Sequence, residues 1–215
     1  MIEVSAFKWV PPFARGLVRD LRVRWALEEA GLPYRSKPID FVEQASDAYR
    51  AWQPFAQVPT YREGDLTLFE SGAIVLHIAR RSAALMPEDE PGRDRATSWL
   101  FAALNSIEPA IQNLAEIDLF HAGEDWAKAR RPGVEAFVRQ RLSQLSERLN
   151  GHDYLDGRFT AGDLMMTTVL RNLRHTDLMA EHDNLSAYQA RCEARPAFQR
   201  ALDAQFADFT GAPPG

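Results

Sequence analysis

Cysteine is almost missing from this chain of 215 residues. The single Cys192 excludes an internal disulfide and a Cys-x-x-Cys redox pair, and a reducing cytoplasm is the expected setting. No apolar run approaches the roughly 20 residues that span a bilayer, so no membrane association is expected. Met1-Ile2-Glu3-Val4 has no basic segment ahead of an apolar one, so no signal peptide is expected. Positive charge is in the minority, with 25 Lys and Arg against 30 Asp and Glu, and it is not gathered into a run. A net charge of −5 argues against nucleic acid as the main partner. The histidines His77, His121, His152, His175 and His182 show no metal-ligand spacing, so no metal is expected.

What is present is an ordinary globular composition, long enough for one large domain or two small ones, each with a core. Ile2, Val4, Phe7, Trp9 and Val10 mark a first strand over residues 2–10, closed by Pro11-Pro12. From about Ala14 to Ala30 the apolar spacing turns helical: Leu17, Leu21 and Trp25 lie four apart, with Val18, Val23 and Leu27 widening the stripe. Gly31 suits the end of that helix, with Pro33 just beyond. Tyr34 to Ile39 reads as a second strand, which Pro38 restricts to a sheet edge. Residues 40–52 are mixed and suggest a short irregular helix.

Residues 57–72 carry the densest signal. Thr60–Arg62 and Leu66–Phe69 are short β-prone runs separated by Glu63-Gly64-Asp65, which predicts a hairpin. Ser71 then precedes Ile74, Val75 and Ile78 at helical spacing, placing it at a helix cap or first turn. Unpaired N–H groups at such a terminus stabilise a carboxylate. The Ser71 hydroxyl adds a donor, and Glu70 beside it can accept from an ammonium. This is a site for an amino acid's paired α-groups. At the hairpin's other end, were the bond before Pro59 cis, the Val58 backbone would turn outward and could pair with a peptide as an added strand.

The order strand, helix, strand, helix, hairpin, helix is that of a thioredoxin-like domain, although another small α/β sandwich has the same topology. Ser82–Arg93, with Pro87, Pro91 and Gly92, reads as a linker. Beyond it the pattern is helical: Leu100 to Leu114 with a kink predicted at Pro109, Val134 to Leu149, Leu185 to Ala194, and Phe198 to Phe209 with Pro196 in its first turn. Thr160 and Asp163, flanked by Phe159 and Leu164, form a capping box with a hydrophobic staple. The expected boundaries are 1–81, a linker over 82–93, and an all-helical domain over 94–215.

Taken together, the Val58-Pro59 and Glu70-Ser71 pair, the Thr160–Asp163 box and Arg195-Pro196-Ala197-Phe198 resemble the cytosolic glutathione transferases over nearly the whole chain. The resemblance implies a thioredoxin-like domain that binds glutathione and an all-helical domain that shapes a second pocket. It implies that Val58 and Pro59 hold the cysteinyl part of glutathione, Glu70 and Ser71 its γ-glutamyl end, and Gln57 its glycyl end. It also implies a homodimer, a small hydrophobic electrophile as second substrate, and a structural role for Thr160 and Asp163. Glutathione is then a co-substrate.

The expected chemistry is attack by the glutathione thiolate, which requires lowering a thiol pKa of about 8.5. Family members use a Tyr, Ser or Cys just after the first strand. Between Ser5 and Tyr34 this chain has no Ser, Thr, Cys or Tyr. Arg15, expected at the helix start, becomes the candidate catalytic group, with Ser5, Lys8 and Trp9 behind it. The departure leaves open a glutathione-binding protein without transferase activity, or a glutathione-dependent isomerase or lyase. Trp99, Phe101 and Phe120 are candidates to line the second pocket, helical core being their commoner role.

Overall fold

A computed structural model describes residues 1–213. These fall into two compact units, Met1–Met86 together with the segment from Arg195 onward, and Pro87–Ala194. The sequence boundaries placed 195–213 with the second domain; the packing places them with the first.

In the first unit, β1 (Ile2–Phe7) leads through a single 3-10 turn at Pro12–Ala14 to α1 (Asp20–Ala30). The strand is shorter than expected, and the helix starts six residues later than its apolar spacing predicts. Pro11-Pro12 cannot donate to a ladder, and Gly16 adopts φ 76, which breaks helical geometry. Gly31 closes α1 in the left-handed conformation, φ 65, as its position predicts. β2 (Tyr34–Ile39) follows, then two short helices, α2 (Phe41–Gln44) and α3 (Asp47–Arg50), capped by Asp40 and Ser46. β3 (Tyr61–Glu63) and β4 (Leu66–Leu68) form the hairpin, and α4 (Ser71–Ala79) completes the expected order.

The sheet order is β2-β1-β3-β4, so the Pro38-bearing strand is indeed an edge. β1 pairs in parallel with β2 and antiparallel with β3. Every residue from Asp20 to Leu27 of α1 is buried, polar ones included. A one-sided stripe does not foresee this. The cause is that α1 packs against α4 and also against α10 (Pro196–Ala207), where Trp25 meets Phe198 edge-on at 4.8 Å. The buried polar groups are paired, as the low-dielectric interior demands. Arg24 bonds Asp20 at 2.7 Å and also Asp208, which accepts from Ser36 as well.

The second unit is helical, with no strand among its residues. α5 (Glu90–Ala102) runs through a π-helical turn at Ala103–Ile107 into α6 (Glu108–Phe120). Pro109 follows the π-helical turn directly, and its missing N–H removes one bond from the continuous helix there. The predicted kink is therefore a one-turn change of helix type just before the proline. α7 (Asp125–Arg148) begins well before Val134 and carries Pro132 inside it. α8 (Ala161–Leu170) is buried along its whole length, and α9 (Asp183–Glu193) completes the unit. Gly162 lets α8 approach α5: a Cβ there would lie 2.6 Å from Trp99 Cβ.

Candidate functional site

The loop entering β3 is fixed by hydroxyl groups. Ser5 Oγ accepts from the Thr60 amide at 2.7 Å and from Thr60 Oγ1 at 3.0 Å. It also meets the Tyr49 hydroxyl at 2.9 Å, and that hydroxyl donates to the Gln57 carbonyl at 2.7 Å. Tyr49 has spent its proton on Gln57, so Ser5 is the donor of the pair. Burial pushes the Tyr49 hydroxyl above its ordinary pKa, keeping it a donor. Ser5 is thus fully engaged and buried, and it is a brace for residues 57–60 rather than a thiol-activating group. The Val58–Pro59 bond is cis. Val58 packs with Ile39 and Tyr49, and among the described residues no hydrogen bond reaches its main chain.

The hairpin register pairs Tyr61 with Leu68. Val58-Pro59 leads into β3 and Glu70-Ser71 follows β4, so both pairs adjoin the open end of the hairpin, where the ladder stops. Glu70 has φ 65, an uncommon conformation for a residue with a Cβ, and its side chain is exposed. Its carbonyl accepts from the Ile74 amide at 3.0 Å, so Glu70 occupies the cap and Ser71 the first helical position. The buried Arg22 of α1 donates to Ser71 Oγ at 3.2 Å. Sequence reasoning passed over Arg22; its only signal was a cation inside an otherwise apolar helix face. The arrangement leaves the Ser71 proton and the first-turn amides for a carboxylate, with the Arg22 charge behind. Gln57 is exposed at the edge of this site.

The loop after β1 differs from expectation. Arg15 is not at the N-terminus of α1, which lies at Asp20; it ends the 3-10 turn. Its guanidinium sits 5.5 Å from the centre of the Phe209 ring, and its Nε is buried without a hydrogen-bond partner. Lys8 reaches Asp40 at 3.4 Å, and Trp9 packs edge-on against Phe41 at 6.3 Å.

In the second unit the capping box is formed as expected. Asp163 accepts from the Thr160 amide and the Leu155 amide, each at 2.9 Å, and from the Tyr188 hydroxyl at 3.0 Å. Thr160 Oγ1 accepts from Gly162 at 3.2 Å. Burial pushes the Asp163 carboxyl above its usual range while these donors pull it back. Trp99 lines a cavity of about 130 Å³ with Ser106, Arg141 and Met166, whereas Phe101 and Phe120 are exposed. Cys192 is buried, and among the described residues no group of His, Cys, Asp and Glu is placed to hold a metal.

A family model described as the N-terminal domain of glutathione S-transferase matches residues 14–80. Glutathione S-transferase 4 of Zea mays is 31% identical over 94% of this chain and 92% of its own. The maleylacetoacetate isomerase of Rhizobium meliloti is 32% identical over 84% of this chain and 89% of its own. A crystal structure of a Burkholderia graminis glutathione transferase, with two glutathione molecules bound per subunit, superposes with a TM-score of 0.82. It is 26% identical and is covered over 87% of its length, against 94% of this chain.

Proposed function

The chain belongs to the glutathione S-transferase family, and from that premise we propose that it conjugates the glutathione thiolate to a small hydrophobic electrophile. The observation that carries the reading is that Val58-Pro59 and Glu70-Ser71 both adjoin the open end of the hairpin, with no hydrogen bond on the Val58 main chain among the described residues, which supports one peptide-binding edge. In this reading the Val58 main chain pairs with the cysteinyl residue. Ser71 and the first-turn amides of α4 take the γ-glutamyl carboxylate, and Glu70 takes the ammonium. Gln57 faces the glycyl end. Arg15 favours thiolate over thiol, because a fixed positive charge stabilises the ionised form.

The reaction is balanced without a metal: the thiol gives its proton to solvent, sulfur forms a bond to carbon, and the electrophile's leaving group departs with its electron pair. A homodimer acting in cytoplasmic detoxification is the setting that fits this chemistry.

The test is steady-state turnover of glutathione with an activated aryl halide, joined to a pH titration of bound glutathione by thiolate absorbance. Conjugate formation and a bound thiol pKa below that of free glutathione are expected, with the pKa rising in Arg15→Ala. Glutathione binding without turnover and with an unshifted thiol makes the chain a binding protein. A second reading draws on the isomerase relative. There the thiol adds to an unsaturated substrate and leaves again, so the product is an isomer free of glutathione. Product analysis separates the two.

A further inference from the structure

The last helix and the residues after it grip the loop between β1 and α1 along its length. Gln205 on α10 is buried, with 1% exposure, and both ends of its amide are used on that loop. Its Oε1 accepts from the Gly16 amide at 3.1 Å. Its Nε2 donates to the Val18 carbonyl at 3.2 Å and to Asp20 Oδ1 at 2.7 Å. One helical turn further on, the Phe209 ring lies under the Arg15 guanidinium at 5.5 Å. Two residues beyond, the Gly211 amide donates to the Lys8 carbonyl at 2.9 Å, in a contact so close that a Cβ would sit 3.1 Å from that oxygen. Asp208, between them, is held by Arg24 and Ser36.

The loop itself has little to hold it. Its helical content is the single turn at Pro12–Ala14, it contains two prolines, and Gly16 has φ 76. Its conformation is therefore set from outside, and the groups that set it lie nearly two hundred residues later in the chain.

We propose that Gln205 and Phe209 are positioning residues for thiol activation, fixing the backbone at Gly16 and the guanidinium of Arg15 against the site where sulfur reacts. The proposal rests on the transferase reading. Neither residue touches glutathione in it: Gln205 acts through the Gly16–Asp20 main chain, and Phe209 acts through Arg15. Catalysis is sensitive to such placement, since a misplacement of about 1 Å costs on the order of a hundredfold in rate. In the transferase reading the carboxylates of glutathione go to Ser71 and Gln57 instead, so its affinity is set elsewhere.

The experiment uses the full chain, glutathione and an activated aryl halide, with Phe209→Leu and Gln205→Met as variants. Phe209 is only partly buried, so its variant keeps the proposal testable if Gln205→Met does not fold. For Phe209→Leu, kcat should fall about two- to fivefold, the range for a partly exposed cation–π contact. KM for glutathione should stay within about twofold, and the bound thiol pKa should rise. In an Arg15→Ala background the effect of Phe209→Leu should disappear, because the two act as one unit. Gln205→Met, if folded, should lower kcat about tenfold or more. Parent values of kcat and thiol pKa in folded Phe209→Leu overturn the proposal, as does a rise in KM at constant kcat or an unchanged effect without Arg15. A parent protein with neither turnover nor a depressed thiol pKa sinks the transferase reading itself, and this proposal with it.

Discussion

At the scale of single residues, the candidate site depends on buried polar side chains, and what each has already bonded decides its role. Ser71 is the sharpest example. At the start of α4 its oxygen accepts from Arg22, and in the proposed reading its proton goes to a ligand carboxylate. Ser71→Ala should weaken glutathione binding by about 1–3 kcal/mol, the range for a hydrogen bond to a charged group, as read by calorimetry. It should also lower stability slightly, because Arg22 loses one of its acceptors. Equal affinity in mutant and parent would remove Ser71 from the site. Arg15 shows the opposite lesson. Its charge and place in the chain made it the candidate, but helix spacing alone put it at a terminus that the fold locates at Asp20. Leu17 and Val18 continue an apolar pattern that the Gly16 conformation does not allow to become helix.

At the scale of elements, two devices hold the structure and each has a measurable signature. The capping box of α8 is one. Asp163 serves the amides of Leu155 and Thr160 and the hydroxyl of Tyr188, all in the interior. Asp163→Ala strands several buried donors, each worth about 1–3 kcal/mol, so a loss of about 3 kcal/mol or more is expected from chemical denaturation. Glutathione affinity of the folded fraction should not change. The other device is the tie between hairpin and helix: Arg81, just past α4, bonds Glu63 of β3 at 2.6 Å, and the Tyr61 hydroxyl donates to the same carboxylate at 2.7 Å. Arg81 first, and then Tyr61, hold the Glu63 carboxyl below the usual carboxylate range. A depressed carboxyl contributes stability above its unfolded pKa, and that contribution is lost as pH falls through the folded value. Glu63→Gln should therefore destabilise the protein at neutral pH and leave the acid limb of its stability profile flatter. The pair is about a third exposed, so the effect should stay below about 1 kcal/mol. Parallel pH profiles for parent and variant would show that the tie contributes nothing.

At the scale of the whole molecule, the segment from Arg195 onward is the decisive feature, because it packs with the first unit. It supplies Phe198 against Trp25, Gln205 to the Gly16–Asp20 turn, and Asp208 to the buried Arg24. A chain ending at Ala194 leaves Arg24 and Asp20 without those partners and uncovers a face of α1. Breaking a buried charge network of this kind costs about 3–5 kcal/mol. The truncated chain should melt more than about 10 °C below the full one, or lose its cooperative transition. A midpoint within about 2 °C of the parent would make the segment an appendage. The sequence by itself determined whatever is written locally. Strand and helix order, the hairpin, the edge strand with Pro38, the Gly31 stop and the Thr160–Asp163 box all follow from propensity, periodicity and turn chemistry within a few residues. The placing of Ser71 at the start of a helix just after the hairpin was legible too, from the apolar spacing of Ile74, Val75 and Ile78. Only the tertiary structure decided the start of α1, the engagement of Ser5, the role of Arg22 behind Ser71, and the return of α10 to the first unit. Each of these turns on contacts between residues far apart in the chain, and no local pattern encodes which buried polar group will find which partner.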